Sequence, residues 1–310
     1  MAFSLIQVSE MDKVIIQVPA TTANLGPGFD CLGMALDLYN TVEATKASHF
    51  ELKVVGEGEG SLSPDQDNLL YRALSTLSRK VGAPIPDLRI TCHNRIPLAR
   101  GLGSSAAAIV GGLVAGNFLL GEPLSRDDLL RLAVEMEGHP DNAAPALLGG
   151  CQVAVWDADS LVTAAIPLPP DLSVVLFIPG FEMSTPKARA ILPARISRKD
   201  AVFNIGRVAL LVNALAARQP GYLRVATQDR LHQPRRRSLF PALDDIIEAA
   251  LQAGASGAFL SGGGSTVAAL TSGGCPNVGE AMKAEAARAG VNGYALEVKP
   301  NLQGAQKVET

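Results

Sequence analysis

The sequence predicts an α+β protein built as two domains, and three observations carry that expectation. The chain has 310 residues, 47% of them apolar and 18% charged, which is enough length and apolar content for two cores and excludes a disordered chain. Strand-like runs alternate with amphipathic helical ones along its length. The segment Pro167 to Asp171 (PLPPD) has three prolines in five residues, which stops regular structure and marks a boundary between 1–166 and 167–310.

In chain order, Lys13 to Val18 (KVIIQV) alternates enough to be a strand and runs into a loop of Pro, Gly, Asn and Thr over 19–33. Further strands are expected at Leu38 to Thr45 and Phe50 to Val55. Over Asn68 to Val81 the residues Leu69, Leu70, Ala73, Leu74 and Leu77 recur at helical spacing, with Asp67 as N-cap. Leu88 to His93 is a short strand leading to a glycine loop that ends at Gly103. Ser104 to Leu120 is the clearest helix of the chain. Ser125 caps another, with Asp127 and Asp128 in its first turn, where they complement the helix dipole. Strands at Gly150 to Trp156 and Leu161 to Ile166 close the first half.

Beyond the proline segment come a strand at Ser173 to Ile178 and helices over Ala201 to Ala217 and Leu243 to Ala253. Two short strands then flank Ser261 to Ser265, before a helix at Val278 to Ala289 and a last strand at Gly293 to Val298. Strands interleaved with pairs of helices point to an α+β sandwich in this half.

Composition removes several function classes. A formal net charge of −3 offers no general basic field for nucleic acid. The one dense basic run, Arg235 to Arg237, needs a local explanation. No window is long and uncharged enough for a membrane span; Ala106 to Leu120 is too short and rich in Gly and Ala. The first dozen residues carry acidic side chains and no basic-then-apolar pattern, so they do not read as a secretory signal. Cys31, Cys92, Cys151 and Cys275 are widely spaced without a CxxC pair, which argues against a zinc site or disulfide framework. The expectation is a cytoplasmic protein acting on a small molecule, with no nucleic-acid or membrane partner.

Three motifs carry chemistry. In Pro97-Leu98-Ala99-Arg100-Gly101-Leu102-Gly103-Ser104-Ser105-Ala106-Ala107 the glycines allow a tight turn and a close ligand approach. The serines open a small-residue helix whose N–H groups and dipole favour an anion, and their hydroxyls suit phosphate or bound Mg²⁺. No Gly-Lys-Ser/Thr follows and GxGxxG is missing, so neither a Walker A loop nor a dinucleotide fold is indicated. The stretch Pro19 to Asp30 (PATTANLGPGFD) places Asn24 and Asp30 at either end of a Gly-Pro-Gly turn, suited to a polar substrate. The third is Ser261-Gly-Gly-Gly-Ser265, which by itself reads equally well as a hairpin turn.

In this order the motifs resemble the GHMP kinase superfamily, and within it the homoserine kinases, over essentially the whole chain. The segments Glu137 to Gly150 (EGHPDNAAPALLGG), Ser184 to Pro193 (STPKARAILP) and Asp229 to Arg237 (DRLHQPRRR) add to the likeness. The third motif departs from the family's usual SGSGP or SGAGP by lacking the proline, and Arg235 stands where the family commonly has Tyr.

The resemblance implies a two-domain GHMP kinase fold. Its N-terminal domain would be like ribosomal protein S5 domain 2 and its C-terminal domain ferredoxin-like, with the active site in the cleft. It implies ATP as co-substrate, with its phosphates on 97–107. Mg²⁺ would be held by Ser105 and a glutamate, with Glu135 favoured over Glu137. L-Homoserine would be bound through Asn24 and Asp30, with its carboxylate on Arg189 and Arg236 and with His139, Asn142 and Thr185 completing the pocket. Asp30 and Arg189 are the candidate catalytic residues, Asp30 as base or as anchor. The implied reaction phosphorylates the homoserine side-chain hydroxyl in threonine biosynthesis, and members of the family are often homodimers.

Overall fold

The structure, a computed structural model, describes residues 12–273 and 276–308; Cys275 and the first eleven residues lie outside them. Its first half runs β1 (Lys13–Ala23), β2 (Leu32–Lys46), β3 (Glu51–Gly56), α1 (Leu69–Val81), β4 (Leu88–Asn94), α2 (Ser104–Leu119), α3 (Arg126–Glu137), α4 (Pro140–Leu148), β5 (Cys151–Asp157) and β6 (Ser160–Ile166). The second half runs β7 (Leu172–Pro179), α5 (Thr185–Ala190), α6 (Arg198–Ala216), α7 (Leu223–Ala226), α8 (Gln233–Arg236), α9 (Leu243–Gln252), β8 (Gly257–Leu260), β9 (Val267–Ser272), α10 (Pro276–Arg288), β10 (Gly293–Val298) and β11 (Gln306–Lys307). No helix among the described residues is long and apolar enough to cross a membrane.

Two sheets organise these elements. The first, of seven strands, has the path β11-β1-β2-β4-β3, with β5 paired to β2 and β6 to β5. The second has four strands in the order β10-β7-β9-β8. That order, with helices between β7 and β8 and between β9 and β10, is the β-α-β-β-α-β pattern of a ferredoxin-like domain. The chain changes sheets between β6 and β7, where the proline segment lies. It then returns: β11 pairs with β1, Ile16 opposite Lys307, so the last residues belong to the first sheet and not to the second. Each side chain such as Phe177, Phe240 or Phe259, essentially unexposed in the second half, contributes roughly 1.5–3 kcal/mol by burial.

Local differences from the sequence expectation have identifiable causes. β1 continues through Pro19 to Ala23, because Ala20 to Ala23 pair with Leu36 to Gly33 and the register shifts between Pro19 and Ala20. A bulge at a proline removes the ladder bond the ring cannot make. The loop therefore shrinks to 24–31. The N-cap of α1 is Asn68, whose Oδ1 accepts from Leu70 N–H, and not Asp67. The Ser125 cap forms a full capping box with Asp128. α4 starts on Pro140, whose fixed φ suits the first helical position; its internal Pro145 hides it from a sequence reading.

Candidate active site

Between β4 and α2 the chain turns through 97–103, and α2 begins after Gly103, which is left-handed and gives no side-chain cap. The first N–H groups of a sixteen-residue helix are thereby left to a ligand, at the end where the dipole favours an anion. Gly101 has φ +74°, and a Cβ there would lie 2.1 Å from the Ser261 carbonyl oxygen. Only glycine allows that approach. Ser261 Oγ donates to the Gly101 carbonyl at 2.6 Å, and Gly264 N–H closes the turn on the Ser261 carbonyl at 2.8 Å. The third motif thus forms its turn without the proline and packs on the phosphate loop.

Two residues of this loop depart from the simplest expectation. The Arg100 guanidinium donates to the carbonyls of Pro179, Leu98 and Gly180 at 2.9, 3.0 and 3.0 Å, so its side chain ties the loop to the end of β7. Ala106 is fully buried behind the loop, while the other residues from Pro97 to Ala107 line the cavity.

Ser105 Oγ lies 2.6 and 2.7 Å from the two carboxylate oxygens of Glu137. Glu135, the residue favoured from sequence, is exposed and lines a separate groove with Asp67, Arg72 and Arg79. The reason is helical geometry: residues two apart do not share a face, so only one glutamate of the pair can meet Ser105. Burial pushes the Glu137 carboxyl above its ordinary value, against the opposing pull of the Ser105 hydroxyl. A hydroxyl and a half-buried carboxylate at a helix N-terminus are hard oxygen donors of the kind a small divalent cation takes beside phosphates. Among the described residues no group of three or more His, Cys, Asp or Glu is arranged to hold a metal.

The other end of the same cavity, about 510 Å³ in volume, is lined by Asn24, Phe29, Asp30, His139, Asp141, Asn142, Thr185, Arg189 and Arg236. Arg189 grips Asp30 bidentately, Nη1 to Oδ2 at 3.0 Å and Nη2 to Oδ1 at 2.6 Å. Arg189 and Arg236 both lie over the Phe29 ring, 5.5 and 5.8 Å from its centroid, within cation–π range. Burial, reinforced by the Arg189 charge, pushes Arg236 down to about 10. Its Nε donates to Ala188 O at 3.3 Å, and its Nη1 to Gly262 O at 2.7 Å and His232 Nδ1 at 2.9 Å. Nη2 has no hydrogen-bond partner among the described residues.

Asn24 (φ +68°) is buried and engaged at both amide atoms. Its Nδ2 donates to Gly262 O and its Oδ1 accepts from Asp30 N–H, each at 3.0 Å. His139 Nδ1 lies 2.8 Å from Asp141 Oδ1; Asn142 accepts from Thr21 Oγ1 at 2.7 Å. The structure therefore gathers every singled-out residue around one cavity except Glu135 and Ala106. Arg235 is exposed and Arg237 pairs with Asp244 at 2.7 Å, so of the basic run only Arg236 faces the cavity.

Comparison with known proteins identifies the family. The model for the GHMP kinases N terminal domain matches residues 68–150, and that for the GHMP kinases C terminal matches 208–292. Homoserine kinase from Moorella thermoacetica is 46% identical over 94% of this chain and 98% of its own. The homoserine kinase crystal structure from Cytophaga hutchinsonii superposes with a TM-score of 0.88 at 32% identity, covering 99% of this chain and 100% of that one. The chain belongs to the homoserine kinase family of GHMP kinases. As a GHMP kinase it uses ATP as co-substrate.

Sequence reasoning missed several residues of this kinase. Phe29 and Asp141 sit inside motifs that were quoted, but an aromatic in a turn and a carboxylate in a helix start have ordinary structural explanations. The apolar end of the cavity, formed by Val42, Val54, Leu62 and Leu69 beside Leu98 of the quoted motif, has no linear signal outside that motif. Those side chains come from two strands, a helix and two loops.

Proposed function

We propose that the protein transfers the γ-phosphoryl group of ATP to the side-chain hydroxyl of L-homoserine, giving O-phospho-L-homoserine for threonine biosynthesis. The observation that carries the substrate is the pair of guanidinium groups over one aromatic ring, with a carboxylate on the same turn. Two cations held so close in a partly buried site favour an anion between them, and Asp30 offers a counter-charge for an ammonium group. An amino-acid zwitterion bearing a hydroxyl fits that arrangement.

The apolar end takes the base, and the free N–H groups of α2 with Gly101, Gly103 and Ser104 take the phosphates. Ser105 and Glu137 would hold Mg²⁺, which supplies charge neutralisation at the phosphates. The hydroxyl oxygen attacks the γ-phosphorus, the bond to the β-phosphate oxygen breaks, ADP leaves and the hydroxyl proton is released. Holding the two reactants in line and stabilising equatorial charge supply the acceleration. Arg189 is placed to do the second once it leaves Asp30. Arg189 holds Asp30 as a carboxylate counter-ion in the resting state, and we assign Asp30 the role of ammonium anchor once that partner moves to the phosphate.

ADP release measured with L-homoserine, mevalonate, galactose and L-threonine, with and without Mg²⁺, tests this reading. Turnover confined to homoserine with Mg²⁺ is expected. Turnover on another alcohol would reassign the acceptor end, and nucleotide binding without turnover on any would remove the enzyme reading.

A further inference from the structure

Arg236 lines the cavity with Nε and Nη1 held by protein partners and Nη2 without one among the described residues, and His232 does part of the holding. His232 is 0% exposed and stands one helical turn before Arg236. Its Nε2 lies 2.7 Å from the Gly26 carbonyl oxygen. A carbonyl only accepts, so Nε2 carries the proton. Nδ1 is then a lone pair, and it takes an N–H of Arg236 Nη1 at 2.9 Å. The two contacts fix one neutral tautomer, and burial, helped by the Arg236 charge, holds the imidazole below its ordinary value. A protonated ring would face the guanidinium with a second donor and a second charge.

The surroundings hold His232 in place. Asp229 accepts the backbone N–H groups of Leu231, His232 and Gln233 at 2.8–2.9 Å and the Asn204 amide at 2.7 Å. Its Oδ2 stands 3.6 Å from His232 Nε2, beyond hydrogen-bond range. Gly26 has φ +87°, and a Cβ there would lie 2.1 Å from the Thr227 carbonyl oxygen, so the Gly-Pro-Gly turn rests directly on this segment. The His232 ring stacks with Phe29, centroids 5.3 Å apart.

We propose that His232 is a positioning residue for the acceptor: through Gly26 on one side and Arg236 on the other, it fixes the spacing between the turn that carries Asp30 and the nitrogen left for the acceptor's carboxylate. The inference rests on the assignment of Arg236 to that carboxylate. Lysine could not replace His232, because the site needs a donor toward Gly26 and an acceptor toward Arg236 at once.

Two isosteric variants separate these contacts. His232→Gln keeps a donor for Gly26 and removes the acceptor from Arg236; His232→Asn keeps the acceptor and removes the donor. KM for homoserine is expected to rise about ten-fold or more in His232→Gln, the size of one hydrogen bond to a charged group. KM for ATP should stay within about two-fold of the parent, and His232→Asn, which releases the Gly26 turn, should also raise the homoserine KM, by less than His232→Gln. A parent-like homoserine KM in His232→Gln, or equal rises in both KM values for both variants, would overturn the proposal. Arg236→Ala is measured in parallel. A raised homoserine KM there with none in His232→Gln removes His232 alone; an unchanged one removes the Arg236 assignment and this inference together. Should His232→Gln not fold, a parent-like homoserine KM in His232→Asn overturns it independently.

Discussion

The two ends of the cavity are built on opposite plans. The end at the glycine loop, which we assign to the phosphates, is nearly contiguous in sequence: one loop and one helix start supply Gly101 to Ser105, with Glu137 brought from α3. The acceptor end is assembled from the turn before β2, the start of α4, α5 and α8, and its central ion pair joins residues 159 positions apart. The first end works through backbone geometry, the second through charges that would repel or remain unpaired unless the fold holds them together. Substitutions should therefore act differently at the two ends, and a shared behaviour would break the contrast.

The largest effect is expected where a side chain serves the backbone-built end. Glu137→Ala should lower kcat on the order of 10²-fold or more, the scale of losing one charge-stabilising group. Glu135→Ala should stay within about two-fold, since its carboxylate points to another groove. Steady-state ADP release across a Mg²⁺ titration reads both, and equal losses would cancel the assignment.

Next comes Gly101→Ala, which forces a side chain into left-handed backbone against Ser261. A loss of roughly 1–3 kcal/mol in stability is expected, with KM for ATP raised more than that for homoserine. Thermal melting and kinetics together check it; an unchanged melting temperature would mean that the third motif can retreat from the loop.

The smallest structural effect is expected at the charged end. The side chains of Arg189 and Asp30 are 37% and 33% exposed, so their pairing is screened and Arg189→Ala should change stability by less than ~1 kcal/mol. The homoserine KM should nonetheless rise about ten-fold, the value of a charged hydrogen bond. A large melting shift with unaltered homoserine KM would show the pair to be structural only.

How much of this was legible follows the same division. The helix from Ser104, the Ser125 cap and the strands on either side of Ser261 to Ser265 were readable because each depends on neighbours within a turn or two. Pro19 to Ala23 read as loop because proline and threonine favour it locally, and only pairing with β2 makes it strand. The choice between Glu135 and Glu137 needed the roll of α3 about its axis, which a caps-and-periodicity reading does not fix to within one residue. His232 carries no signal of its own within Asp229 to Arg237, and only its contacts with Gly26 and Arg236 single it out.

By itself, then, the sequence determined the two-part α+β organisation, the glycine-serine loop ahead of its helix and the family to which the chain belongs. These rest on local backbone preference and on contiguous residue patterns. The tertiary structure decided which glutamate meets Ser105, that Arg236 alone of the basic run lines the cavity, and that β11 returns to the first sheet. Each of those depends on distances between residues far apart in the chain, which periodicity and composition do not encode.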